Sequence, residues 1–149
     1  MDIISKIDEL IELPSFLIDI FPKDVPRKNA NRYFDVEEYF QHQGQHSEKF
    51  VRILLTLYCY YDFVVSAQEE VMENPTPNQL VCLINHCFEG EYRSRDYINI
   101  ILPECNSMMI LNGDDLYMIL KNPDERLKEL VSDLAHAEGL FFYQAASGQ

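Results

Sequence analysis

Residues Asp96 to Gln144 read DYINIILPECNSMMILNGDDLYMILKNPDERLKELVSDLAHAEGLFFYQ. Three apolar runs come first: Asp96 to Glu104, Ser107 to Leu111 and Leu116 to Leu120. They predict three strands, with NGDD (Asn112 to Asp115) as a hairpin turn between the last two. The period then changes. Leu127, Leu130, Val131 and Leu134 recur at helical spacing. Asn122 is the expected cap, and Pro123 the first helical residue. Asp124 and Glu125 sit in the first turn, where the helix dipole favours acids. Gly139 ends the helix and LFFYQ (Leu140 to Gln144) returns to strand. Strands grouped together, then a helix, then a strand, indicate an α+β plan.

Upstream, Ile3, Ile4, Ile7, Leu10 and Ile11 predict a helix ended by Pro14. SFLIDIF (Ser15 to Phe21), bracketed by Pro14 and Pro22, reads as a short strand at a sheet edge. Residues Lys23 to Phe34 form a connector. Asp35 to Phe40 fits either a helical turn or a short strand, and Gln41 to Ser47 is a polar loop. Ser47 is then placed to cap a long helix reaching about Glu73. Its broad apolar face holds Phe50, Leu54, Leu57, Tyr58, Tyr61, Val65 and Met72. Leu55, Cys59, Tyr60 and Phe63 point elsewhere, so this helix is expected to be covered on two sides, or on one side by a partner. Asn74 to Asn78 is a turn, with Thr76 as cap and Pro77 at the first helical position. Leu80, Leu83, Ile84 and Cys87 face inward from the helix that follows, which Gly90 ends. The expected whole is one α+β domain over residues 1–149. Helices lie on one side of a mostly antiparallel sheet of about four or five strands.

The chain carries 25 acids against 12 Lys and Arg, a formal charge of -13. Phosphate backbones and anionic membrane surfaces repel such a protein unless a local basic patch exists. The densest basic run, Lys23, Arg27, Lys28 and Arg32, contains Asp24. Arg93 and Arg95 lie among Glu89, Glu91 and Asp96. No nucleic-acid or membrane partner is therefore expected, and a basic protein is the favoured kind. Cys59, Cys82, Cys87 and Cys105 form no CxxC motif. The opening MDIISKIDEL is charged and periodic rather than signal-like, so reduced thiols and a cytoplasmic location are the expectation.

Catalytic patterns are sparse. Cys82 and His86, four apart on a helix, could share a metal with His42 and His46. Cys82 and Cys87 read more simply as small buried hydrophobes. Ser15, Ser47, Ser66 and Ser107 lack a nucleophile elbow. Neighbouring His86 and Cys87 do not face each other on a helix. Cys105 and His136 pair only if the fold joins them. The acid pairs Glu37–Glu38, Glu69–Glu70 and Asp114–Asp115 are those expected in so acidic a chain. The glycines are isolated, so no phosphate loop is present. No enzyme, cofactor or metal site is expected.

Binding needs aromatic anchors inside a polar rim. Tyr33, Phe34, Tyr39 and Phe40 stand beside Glu37 and Glu38, and Tyr92 and Tyr97 stand beside Glu91 and Asp96. The ending NPDERLKELVSDLAHAEGLFFYQ (Asn122 to Gln144) and the small acidic α+β plan resemble some bacterial immunity proteins. The resemblance implies neutralisation of a toxin, often a basic nuclease, and carries over no functional residue. Glu37, Glu38, Tyr39, Phe40, Asp114 and Asp115 are thus the candidate partner-binding residues on surface chemistry alone. The alternative is a soluble bacterial domain of regulatory or structural role, homodimeric through the helix around Tyr60.

Overall fold

Short apolar runs with two-residue periodicity pair into a sheet because each buries one face and bonds its backbone laterally. The computed structural model describes residues 2–26, 30–43, 45–88 and 97–146. Among them the strands are β1 (Ser15–Asp19), β2 (Val64–Ala67), β3 (Glu70–Glu73), β4 (Ile98–Leu102), β5 (Ser107–Leu111), β6 (Tyr117–Lys121) and β7 (Phe141–Gln144). The helices are α1 (Ile3–Ile11), α2 (Ala30–Gln43), α3 (His46–Tyr58), α4 (Pro77–Phe88) and α5 (Glu125–Ala137). The α+β class stands. The sheet has seven strands in the order β3-β2-β4-β5-β6-β1-β7, every neighbouring pair antiparallel, so it is wider than the four or five expected.

Alternate residues feed two cores. Ile98, Ile100, Met109, Leu111, Met118 and Leu120 pack with Phe50, Leu54 and Leu57 of α3, Leu80 and Ile84 of α4, and Leu127 and Val131 of α5. Val64, Ile101, Met108 and Ile110 face the other way, onto Leu10, Ile3 and Ile7 of α1. Helices therefore cover both faces, not one. The near-continuous apolar strands required this, because a strand with two apolar faces must be covered twice. Lys121, on the α1 face, is buried. Its Nζ donates to the Leu13 carbonyl at 3.3 Å and to Ser15 Oγ, tying the α1–β1 turn to β6.

The long helix from Ser47 to Glu73 does not exist as one element. α3 stops at Tyr58, and the Tyr60 and Tyr61 amides both reach back to the Leu57 carbonyl. Phe63, Val65 and Ala67 then bury on strand alternation. Gln68 (φ 52°) and Glu69 (φ 64°) make a tight two-residue turn from β2 into β3, whose twist suits a hairpin. Asn74 closes its base, accepting from Phe63 N at 2.9 Å and donating its own N–H to the Phe63 carbonyl at 2.8 Å. Val65 and Met72 had matched the helical spacing by coincidence; they are cross-strand partners. Tyr58 stacks on Phe63 with ring centroids 4.8 Å apart, Tyr61 is half-buried, and Tyr60 is 53% exposed.

Three further differences have local causes. β1 lies between β6 and β7, so β7 rather than β1 is the edge strand. Asp124, not Asn122, caps α5: its Oδ1 accepts from Leu127 N at 2.8 Å, while Asn122 sits at φ 54°. The run from the connector through the polar loop forms most of α2. Thr76 and Gln79 do form a reciprocal capping box at the start of α4, with Pro77 in the first turn. The turn Asn112 to Asp115 does join β5 to β6, closed by Asp115 N to the Asn112 carbonyl at 3.1 Å. Gly90, expected to end α4, lies outside the described residues, as do Arg27, Lys28, Glu89, Arg93 and Arg95.

Candidate functional site

α2 is only weakly amphipathic, and none of its described side chains is fully buried. Its inner side is anchored by rings: Phe21 meets Tyr33 at 5.0 Å and Phe40 at 5.8 Å between centroids. The helix C-terminal half reaches the β5–β6 turn, where Gln41 Nε2 donates to the Asp114 carbonyl at 2.8 Å. That turn is itself held locally. Asn112 Oδ1 accepts from Asp114 N at 2.9 Å, a side-chain mimic of a backbone turn.

This docking brings distant residues together. Glu37, Glu38 and Asp114, with Phe34, Gln41 and His42, line an open groove of about 450 Å3. Phe34 is 60% exposed and Tyr39 58% exposed on the same helix. Tyr39 Oη accepts from Gln43 Nε2 at 2.6 Å. Phe40 is half-buried against Phe21, so within the helix it anchors inward. Asp115 is half-buried beside Asp114; burial first, and the Asp114 charge second, push its carboxyl above the usual range. Tyr97 is exposed, whereas Tyr92, Glu91 and Asp96 lie outside the described residues.

Next to the groove lies a second concavity of about 320 Å3, sharing Phe34. Asp19 at the end of β1 lines it and is only 8% exposed. Tyr143 of β7 donates its hydroxyl to Asp19 Oδ2 at 2.5 Å, and Phe21 N donates to Oδ1 at 3.0 Å. Burial raises the Asp19 carboxyl above its ordinary range, against the lowering effect of those two bonds. Tyr33 donates to Glu37 Oε2 at 3.1 Å; burial and then Glu37 push its phenol up to about 12. Burial and the Asp19 carboxylate push Tyr143 higher as well. Sequence reasoning missed Asp19 and Tyr143. The available signal was an acid in the apolar run SFLIDIF, at the two-residue spacing from Leu17 that puts it on a sheet face.

The other candidates scatter. Cys82 and His86 are exposed and line a groove of about 550 Å3 between α4 and the β2–β3 hairpin. His42 is exposed on α2, while His46 is buried edge-on to Phe50 and Phe88 at 5.7 and 5.2 Å. No group of three or more metal-ligating side chains occurs among the described residues. Burial, the largest influence, pushes the Cys105 thiol up, which works against a thiolate nucleophile at neutral pH. His136 is exposed on α5. No helix among the described residues is long and apolar enough to cross a membrane. Comparison with protein-family models, with curated proteins and with solved structures finds no match to this chain.

Proposed function

We propose that this protein is a non-catalytic binding module for a basic protein partner, which it meets through the acidic groove between α2 and the β5–β6 turn. The observation that carries the reading is the meeting of Glu37 and Glu38 with Asp114 in one groove that exposed Phe34 also lines. An acidic groove with an exposed aromatic ring in its wall suits a cationic surface that also brings apolar contact area. The charge of -13 adds long-range attraction, which speeds encounter and rejects acidic competitors more than it tightens the final complex. The finer reading is that the partner is a toxin and the protein its immunity factor. Nucleic-acid and membrane partners stay disfavoured on charge.

The test is affinity capture from lysate of the source organism at low and at high salt, with retained proteins identified by mass. The expected result is one basic protein held at low salt, weakened at high salt and lost with Glu37→Lys/Glu38→Lys. Retention that is indifferent to both salt and the double substitution refutes the groove. For the toxin reading, co-production with the captured protein must restore growth that the captured protein alone arrests. A second reading, self-association, draws on Tyr60, which is 53% exposed just past the end of α3. Sedimentation of the purified chain as a dimer that Tyr60→Ser dissociates would favour it.

A further inference from the structure

The cup beside the acidic groove has a composition of its own. Its lining combines Phe21, Tyr33, Phe34 and Tyr143 with Pro22, Val25 and Pro26, and Asp19 is the one carboxylate among them. Lys23 is exposed at the same cup, yet no Lys or Arg pairs with Asp19 among the described residues. We infer that this cup is a binding site for an organic cation, an alkylammonium or alkylguanidinium head held by Asp19 among the aromatic rings.

Three features converge on that ligand class. Aromatic rings attract a cation within about 6 Å of their centroids, and four rings line one small cavity. An ionised carboxylate offers about four acceptor positions, of which Tyr143 and the Phe21 amide use two. The rest can accept from a cationic N–H. The buried carboxyl is poorly solvated, so a cation arriving from water would supply a countercharge that no Lys or Arg supplies among the described residues. Glu37, which accepts from the Tyr33 hydroxyl, adds a second carboxylate next to one of the lining rings. A neutral or anionic guest gains none of this. The volume, about 320 Å3, suits one alkyl cation rather than a large cofactor.

Such a head can come as a free amine or as a Lys or Arg side chain of a basic protein. Only the second source rests on the docking function proposed above; the free-cation site stands without it. The experiment is an amide-resolved NMR titration of the full chain with butylguanidinium, with butylammonium and with neutral butylurea. The expected result is a saturable shift centred on residues 19–25, 33, 34 and 143 with the cations and none with butylurea. Asp19→Asn should weaken cation binding about tenfold, the loss of one charge-assisted interaction. Phe34→Ala, at an exposed position where folding is not at stake, should weaken it about two- to fivefold. A capped arginine tripeptide that produces the same shifts assigns the site to a side chain. Shifts from the free cations alone assign it to a small amine. No localised shift, equal binding of butylurea, or unchanged binding in both variants would overturn the site. Failure of lysate capture with success of this titration would sink the docking function and leave the cup.

Discussion

Gly113→Ala tests how closely two parts of the fold approach. An ideal Cβ at position 113 would lie 1.9 Å from the Cys87 carbonyl oxygen and 3.0 Å from its carbon. Ordinary contact begins near 3.4 Å, so a gap of about 1.5 Å must open. Both sides are backbone: the last turn of α4 on one, the β5–β6 turn on the other. Neither can swing away as a flexible side chain would. Overpacking costs about 1–3 kcal/mol in general, and a clash between two main chains belongs at about 3. For a chain of this length that is a fall of about 6–12 °C in Tm. Circular dichroism melting of Gly113→Ala against wild type reads it directly. A fall below about 2 °C would refute the close approach. Asp114 follows in sequence, so the same change should also open the Gln41–Asp114 bond and shift the Gln41 side-chain amide in NMR.

Asp19 and Asp115 both have carboxyls raised by burial, so the folded state holds their protons more tightly than the unfolded chain does. Stability attributable to them is full below the ordinary value of 3.8 and falls as pH rises through their folded values. Urea midpoints between about pH 3 and 7 should therefore fall less steeply for Asp19→Asn, Asp115 keeping its share; an unchanged slope contradicts the burial assigned to Asp19. Tyr33, pushed from 10.0 to about 12, should lose its stabilising protonated state across that interval. Phenolate absorbance in Tyr33→Phe should lack one step near 12, and loss of a step near 10 instead would contradict the Tyr33–Glu37 bond. Removing the α5 cap with Asp124→Ala should cost about 1 kcal/mol by urea denaturation, whereas Asn122→Ala should not act through capping.

Much of this fold is legible in the chain because local and global preferences agree there. β5, its turn and β6 follow from two apolar runs around Asn112 to Asp115, and α4 announces itself through Thr76 and Pro77. The glycine in that turn is required for a different reason than a sequence suggests: it makes room for the Cys87 carbonyl rather than supplying a positive φ. The β2–β3 hairpin was hidden because Tyr58, Tyr61, Val65 and Met72 satisfy a helical period over residues that tertiary pairing draws into strands. Its turn uses Gln68 and Glu69 in a left-handed conformation that glycine or asparagine would have signalled. α2 was obscured by its polarity and its incomplete burial, which leave a weak period. The groove acids Glu37 and Glu38 and the turn acids Asp114 and Asp115 could be named from the chain. That Asp114 meets Glu37 across the Gln41 bond could not, since such pairing depends on where α2 docks.

The groove rather than bulk acidity is the central claim, and placement can be separated from charge. Glu37→Lys/Glu38→Lys and Glu129→Lys/Asp133→Lys change net charge equally, the first in the groove and the second on the exposed side of α5. Affinity for the basic protein captured at low salt, measured side by side for the two variants and wild type, decides between them. The account predicts loss of at least about tenfold for the groove pair and a change within about threefold for the α5 pair, the latter reflecting steering alone. Equal losses from both pairs would contradict it, leaving attraction by overall charge with no docking groove at all.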